Sequence, residues 1–98
     1  MHHYDPVSKQ TIFTCSAENG LQVFLWGHFP DSRQERIPMT WRKHHWQAAV
    51  ELPMGMYAYQ FEINGRRVRD ESAGSIMLQG PQASKAPWSL AIVPNWIG

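Results

Sequence analysis

Residues 21–70 decide the fold and read LQVFLWGHFPDSRQERIPMTWRKHHWQAAVELPMGMYAYQFEINGRRVRD. Apolar and polar residues alternate in three parts of this stretch, and such alternation is typical of β-strands that bury one face. The pair Asn64-Gly65 follows the last of these in the chain and favours a two-residue hairpin turn. The stretch therefore predicts antiparallel β-structure.

The alternation also predicts which side chains face the core. In the first strand, Leu21, Val23 and Leu25 share one face, so Trp26 lies on the other face and should be half exposed. In residues 56–63, one face holds Tyr57, Tyr59, Phe61 and Ile63. Trp46 begins a third alternating segment at a position that faces the core.

The flanking sequence extends this pattern. Residues 11–15 (TIFTC) predict a strand that pairs with residues 21–26 through a turn at Asn19-Gly20. We expect a loop at 27–36, a short edge strand at 37–40 because of Pro38, and a closing strand at 89–93. A long loop is expected at 71–87, and residues 1–6 are expected to be frayed. Six to eight short strands without βαβ spacing predict an all-β antiparallel sandwich.

Length and composition favour a binding module. The chain has 98 residues, enough for one domain (1–98, core about 11–93), and short for enclosing a substrate pocket. Apolar residues make up 43% of it, as in a folded globule. The formal charge of +1 predicts no recruitment of nucleic acid or anionic membrane. Cys15 is the one cysteine, and no apolar stretch approaches the length of a signal sequence or membrane span, so we expect a cytoplasmic protein.

Catalytic or metal chemistry finds little support in the sequence. The histidines His28, His44 and His45 lack the spacing of a known metal motif. Cys15 lies at an inward strand position with no base nearby in sequence. The carboxylates that could serve glycoside hydrolysis are expected on loops: Asp31, Glu35, Asp70 and Glu71. We therefore predict a non-catalytic domain with no metal and no cofactor.

Four segments together resemble a known family. These are VFLWGHFPD (23–31), IPMT (37–40), WQAAVELPMG (46–55) and YAYQFEING (57–65), followed by Asp70. Their order and spacing are similar to the early-set, isoamylase N-terminal type of domain. That type includes the family-48 carbohydrate-binding modules, among them the glycogen-binding domain of the AMP-activated protein kinase beta subunit. The resemblance covers residues 11–93 and implies an immunoglobulin-like sandwich that binds α-glucans such as glycogen or starch.

The sugar-binding positions of the resembling family are changed in this chain. Ser32 stands where the family has the tryptophan that closes its Gly-Ser-Phe-Asn turn. Arg67 replaces a second tryptophan after the hairpin glycine, and Gln60 replaces a strand lysine. Ser89 corresponds to a polar residue, often asparagine, that contacts sugar. The sequence thus matches the scaffold better than the binding surface.

Two interpretations follow from this mismatch. Either relocated aromatic residues rebuild the platform, or sugar binding is lost and a protein partner or homodimer remains. For the first, we expect Trp26 and Trp41 to project outward as ring platforms, with Trp88 close to the last strand. The predicted carbohydrate-binding residues are Trp26, Trp41, Gln60, Arg67 and Ser89. The second interpretation would use exposed edge strands and the arginines Arg66, Arg67 and Arg69.

Overall fold

The structure is a computed structural model that describes residues 1–29, 33–70, 75–76 and 88–94, all of them in strands or their connections. Ten strands are present in these residues: β1 (His2–Asp5), β2 (Gln10–Cys15), β3 (Val23–Phe29), β4 (Arg33–Pro38), β5 (Thr40–Arg42), β6 (His45–Val50), β7 (Gly55–Ile63), β8 (Arg66–Val68), β9 (Ser75–Ile76) and β10 (Trp88–Val93). No described residue belongs to a helix, so none of the described chain forms a helix able to cross a membrane.

The strands form two antiparallel sheets that pack as a β-sandwich. The four-stranded sheet has the order β1-β2-β6-β5, and the six-stranded sheet has the order β4-β3-β7-β10-β9 with β8 paired to β7. The predicted all-β sandwich is therefore confirmed. The strand number exceeds the expected six to eight because β1, β5 and β9 are short segments with weak sequence signals.

The core lies between the sheets and consists of the inward residues of both. Leu25, Tyr59 and Ala91 of the six-stranded sheet meet Phe13 of the four-stranded sheet, and all four are fully buried. The Phe13 and Tyr59 rings meet edge to face at 4.9 Å between centroids. The faces predicted from alternation are thus confirmed, including Trp46, which packs against this core.

The hairpin predicted between residues 11–15 and 21–26 is wrong. Strand β2 pairs with β1 and β6, whereas β3 pairs with β4 and β7 in the other sheet. Both segments have strong strand patterns, but the connection between them crosses from one sheet to the other. Phe13 and Leu25 consequently enter the same core from opposite sides.

The loop predicted at 27–36 is mostly strand. Strand β3 continues to Phe29 and β4 begins at Arg33, and the two pair along their length. Gly27 allows this extension because a Cβ atom there would lie 2.1 Å from the ring of Phe29, which folds back over the glycine. Gly27 and Phe29 of the Gly-x-Phe sequence therefore pack together within a strand. Ser32, which the sequence comparison singled out, lies outside the described residues.

Two hairpins have two-residue turns in which both residues adopt positive φ. Asn64 and Gly65 both adopt positive φ, at 51° and 89°, which confirms the predicted hairpin between β7 and β8. Lys43 and His44 also adopt positive φ, and they join β5 to β6 in a hairpin that the sequence pattern did not predict.

The first residues are ordered as an edge strand, contrary to the expected frayed start. Strand β1 pairs with β2 from His2 opposite Phe13 to Asp5 opposite Gln10. The backbone nitrogen of Met1 forms an ion pair with Asp70 and donates to the carbonyl of Thr14. These polar contacts hold β1 in place, and the alternation of apolar and polar residues cannot predict them. Of the expected loop at 71–87, only residues 75–76 are described, and they pair with β10.

Candidate functional site

The outer face of the six-stranded sheet carries a group of aromatic and charged side chains. We name this group the outer-face cluster, and it consists of Trp26, Arg36, Gln60, Glu62, Arg67 and Trp88. Its residues come from five strands: β3, β4, β7, β8 and β10. Their distance along the chain means that only the folded sheet brings them together.

The register of the strands explains the grouping. Trp26 lies opposite Gln60 on one side and opposite Arg36 on the other, while Glu62 lies opposite Arg67. Residues directly opposite in antiparallel strands share a face of the sheet. Because the neighbours of Trp26 in sequence, Leu25 and Gly27, face the core, this face is the outer one.

Trp26 is held by a buried carboxylate. Its Nε1 donates to Oε1 of Glu62 at 2.9 Å, and Arg36 donates to Oε2 of the same residue at 2.6 Å. The hydrogen bond from Arg36 holds the pKa of Glu62 below its usual range, against the opposing effect of burial, and Trp26 adds to the lowering. Glu62 therefore remains ionised near neutral pH and fixes the orientation of the indole ring.

Arg67 extends across the cluster. Its Nε donates to Oε1 of Gln60 at 3.1 Å, and its guanidinium carbon lies 4.2 Å from the ring centroid of Trp26 and 5.1 Å from that of Trp88. Cations at these distances are attracted by the electron-rich faces of aromatic rings. Burial lowers the pKa of Arg67, with Glu62 opposing, but a guanidinium stays charged at any physiological pH.

Within the described residues, Trp88 and His28 each carry a buried polar atom without a hydrogen-bond partner. The indole of Trp88 is 1% exposed, and its Nε1 has no hydrogen-bond partner in the described part of the chain; the same holds for the buried Nε2 of His28. The two rings meet edge to face at 4.8 Å. Burial lowers the pKa of His28, and the nearby charge of Arg67 acts in the same direction, so its ring is neutral at pH 7.

Three of the five predicted site residues come together. Trp26, Gln60 and Arg67 lie in the outer-face cluster, where Trp26 is partly exposed and Gln60 is fully buried beneath Arg67. The other two, Trp41 and Ser89, lie elsewhere.

Trp41 belongs to the opposite sheet and does not project outward as expected. It lies opposite Trp46, with ring centroids 5.7 Å apart, and therefore shares the inward face on which Trp46 packs against the core. The reason is that every second side chain from Ile37 through Met39 to Trp41 points inward, although the chain changes sheets at Met39.

Ser89 is fully buried on the core side of β10. Its register partner is Tyr59, and its Oγ accepts from the backbone nitrogen of Asp70 at 2.6 Å and donates to the carbonyl of the same residue at 3.1 Å. In this position its hydroxyl ties β10 to the chain that follows β8, behind the sheet from the outer-face cluster.

Sequence reasoning missed Arg36 and Glu62. Glu62 shares a strand face with Gln60, so the alternation of residues 56–63 could have placed it beside that candidate. Arg36 lay in a segment interpreted as a loop, and no signal in the sequence linked it to Glu62. The pair forms only because β4 continues the sheet beyond β3.

A cavity and a buried cysteine lie outside the outer-face cluster. A cavity of about 1000 Å³ lies around His3, Thr14, His45, Gln47 and Arg69, away from the outer-face cluster. Among described residues, no group of three or more His, Cys, Asp or Glu side chains is placed to hold a metal ion. Cys15 is buried, and burial raises the pKa of its thiol.

Comparison with known proteins identifies the family. No curated protein sequence matches the chain closely. The family described as carbohydrate-binding module 48 (isoamylase N-terminal domain) matches residues 2–89, which is most of the chain and includes every strand from β1 to β9. This match covers most of the chain and agrees with the sandwich fold, and the chain belongs to the carbohydrate-binding module 48 family.

Proposed function

We propose that the chain binds an α-glucan, such as glycogen or starch, on the outer face of its six-stranded sheet. The observation that carries this proposal is the convergence of Trp26, Gln60 and Arg67, three of the residues chosen from the sequence, on one side of the sheet. The family match supports a carbohydrate-binding role for a domain of this kind.

The chemistry of the cluster suits a sugar. A glucose ring presents apolar C–H groups on its faces and hydroxyls around its edge, so it needs an aromatic surface bordered by polar groups. Trp26 supplies a partly exposed ring whose orientation is fixed by Glu62. Arg36 lies beside Trp26 in the strand register and Arg67 lies over the indole ring, so both bring hydrogen-bond donors to it. A ring held in place before binding loses little conformational entropy when the ligand arrives.

Titration with maltoheptaose tests the proposal. We expect the indole N–H signal of Trp26 and the side-chain signals of Arg67 to shift in NMR spectra, and Trp26→Ala to weaken binding at least about tenfold, as for removal of a stacking ring. Trp41→Ala is the matched substitution in the opposite sheet and should change affinity little. Spectra unaltered at millimolar ligand would overturn the proposal, and a loss confined to Trp41→Ala would move the site to the other sheet.

We further propose that the chain is a single, non-catalytic domain that acts in the cytoplasm. Membership of a family of binding modules supports the non-catalytic role. The single cysteine, which cannot form a disulfide within the chain, supports the cytoplasmic location. An assay for release of reducing sugar from glycogen by the purified chain would contradict the non-catalytic role if it detected hydrolysis.

A second candidate function is contact with a protein partner or another copy of the chain. Met56 and Ile92 lie directly opposite each other in β7 and β10, and they are 70% and 57% exposed. Paired exposed apolar side chains on a sheet are typical of contact surfaces. Sedimentation over a concentration series should show self-association that Ile92→Ser reduces, and a monomer at every concentration would exclude the homodimer.

A further inference from the structure

Arg36 crosses a neighbouring strand to reach its partner in the outer-face cluster. It belongs to β4, whereas Glu62 belongs to β7, and β3 lies between these two strands. The Nη2 of Arg36 donates to Oε2 of Glu62 at 2.6 Å. The guanidinium also lies over the ring of Phe24 in β3, with its central carbon 3.7 Å from the ring centroid. Phe24 therefore supports the guanidinium from below, while Glu62 fixes one of its edges.

These contacts hold Arg36 without burying it. Its side chain is 47% exposed, whereas that of Glu62 is 10% exposed. A guanidinium has more N–H groups than one carboxylate oxygen can accept. The other N–H groups of Arg36 bond to no residue that the structure describes, so they remain for a ligand. A side chain that is already held in place loses little conformational entropy when a ligand binds.

The two arginines of the cluster differ in their surroundings. Arg67 is half-buried, donates to Gln60 and lies over the ring of Trp26. Arg36 is exposed and lies directly opposite Trp26 in the strand register. Trp26 and Arg36 also donate to the same carboxylate, that of Glu62, one to each oxygen. A ligand against Trp26 is therefore bordered by the exposed guanidinium of Arg36.

A planar guanidinium matches two oxygens on neighbouring atoms. Its N–H groups donate in parallel within one plane, which suits a pair of acceptors better than an ammonium group does. Hydroxyl oxygens accept such bonds. In an α-1,4-linked glucan, each internal glucose unit leaves its 2- and 3-hydroxyls free on neighbouring carbons, because the 1- and 4-oxygens form the links. The 6-hydroxyl lies on the other edge of the sugar and has no neighbouring free hydroxyl.

We infer that Arg36 is a specificity-determining residue of the glucan site, and that its guanidinium donates to the 2- and 3-hydroxyls of the glucose unit that lies against Trp26. The inference rests on the proposed function, since it names the edge of the sugar that the same site recognises. Phe24 and Glu62 hold the guanidinium in place for this contact. A substituent on the 6-oxygen does not meet Arg36, so the site accepts it.

Calorimetry with selectively methylated glucans tests this contact. The ligands are maltoheptaose, maltoheptaose methylated at every 2- and 3-oxygen, and maltoheptaose methylated at every 6-oxygen. Modification of every unit prevents the chain from sliding until an unmodified unit reaches Trp26. We expect methylation of the 2- and 3-oxygens to weaken binding at least about tenfold, the scale of a hydrogen bond to a charged group. Methylation of the 6-oxygens should change the affinity less than about threefold.

Arginine variants show whether Arg36 makes the contact. In Arg36→Ala, methylation of the 2- and 3-oxygens should change the affinity less than about threefold, because the group that contacts these oxygens is gone. Arg36→Lys keeps a cation beside Glu62 but lacks the planar guanidinium, so it should also reduce the effect of methylation. Arg42→Ala is the matched control, since Arg42 is an exposed arginine on β5 of the opposite sheet. It should keep the full effect of methylation.

The ratio of affinities separates a direct contact from a structural effect. If an Arg36 variant only disturbed the orientation of Trp26, all three glucans would bind more weakly and their ratios would stay the same. An undiminished effect of methylation in Arg36→Ala or Arg36→Lys would overturn the inference alone. Equal effects of the two methylation patterns on the unsubstituted chain would do the same. Absence of binding by unmodified maltoheptaose would overturn the proposed function together with the inference.

Discussion

The hydroxyl of Tyr59 donates a 2.5 Å hydrogen bond to Oδ2 of Asp70, and both side chains are buried inside the sandwich. Tyr59 lies at the middle of β7, while Asp70 follows β8 and also pairs with the backbone nitrogen of Met1. His2 approaches the same hydroxyl at 3.3 Å. The contact thus joins β1, the central strand of the larger sheet and the chain beyond the Asn64-Gly65 hairpin.

Tyr59→Phe should destabilise the fold through this polar contact. The substitution keeps the buried ring but removes a donor to the buried Asp70, so we expect a loss of about 1–3 kcal/mol in the free energy of unfolding. Tyr57→Phe serves as the control because the Tyr57 hydroxyl donates to the carbonyl of Pro53 in an exposed position. Urea unfolding curves measure both losses, and equal losses would contradict a special role for the Tyr59–Asp70 bond.

Phe61→Ala should be among the most damaging core substitutions. Phe61 is 3% exposed and meets Tyr59 edge to face, so truncation should cost about 3–5 kcal/mol. Met56→Ala in the same strand should cost less than about 1 kcal/mol, because the side chain is 70% exposed on the outer face. Thermal and urea unfolding compare the two, and the reverse order would mean that the strand faces are exchanged.

Glu62→Gln should change how stability depends on pH. The pKa of Glu62 is lower in the folded chain than in the unfolded one, mainly because Arg36 hydrogen-bonds to the carboxylate. Its stabilising contribution is therefore fully present above the unfolded pKa of about 4.3, and it is lost as pH falls through the folded pKa. We expect wild type to be more stable than the variant at neutral pH and the difference to shrink in acid.

A urea unfolding series from about pH 7 to about pH 3 measures the Glu62 effect over the range in which carboxyl groups titrate. Glu35→Gln is the control, since Glu35 is exposed on the edge strand β4 of the same sheet. A stability difference for Glu62→Gln that stays constant with pH would contradict the role assigned to the carboxylate charge.

Gly27→Ala should introduce a steric conflict. The added methyl group would overlap the ring of Phe29, which is 3% exposed and packs near Phe13, so the ring has little room to move. Overpacking of this kind costs about 1–3 kcal/mol. Phe29→Leu made in the Gly27→Ala background should recover part of the loss. Losses that simply add in a double-mutant cycle would show that residues 27 and 29 do not interact.

The sequence predicted the sandwich and its faces because alternation reports burial directly. Val23, Leu25, Tyr59 and Phe61 are inward as their spacing requires. The pairing partners of the strands were harder to predict, since alternation does not say which sheet a strand joins. Residues 11–15 (TIFTC) were therefore assigned to the wrong neighbouring strand. The ordered start of the chain could not be predicted because it depends on contacts of Met1 with Asp70 and of His2 with Tyr59, which lie far along the sequence.

The grouping of the candidate-site residues could be predicted where they share one strand face. It could not be predicted where it depends on which strands pair and in which register. Gln60 and Arg67 flank one hairpin, so their proximity follows from the Asn64-Gly65 turn. The prediction that Trp41 projects outward was wrong because it did not take account of the alternation that runs from Ile37 through Met39. The burial of Ser89 could not be predicted from the sequence, since it depends on the path of the chain at Asp70.

One residue, Met39, separates β4 of the larger sheet from β5 of the smaller one, and its amide donates to the carbonyl of Val23 at 2.9 Å. A single run of chain is therefore hydrogen-bonded into both layers. Neither layer can open while the other stays closed without breaking pairs at this joint. In native-state hydrogen exchange, the amides of β3 and β6 should belong to one cooperative unit with a common opening free energy.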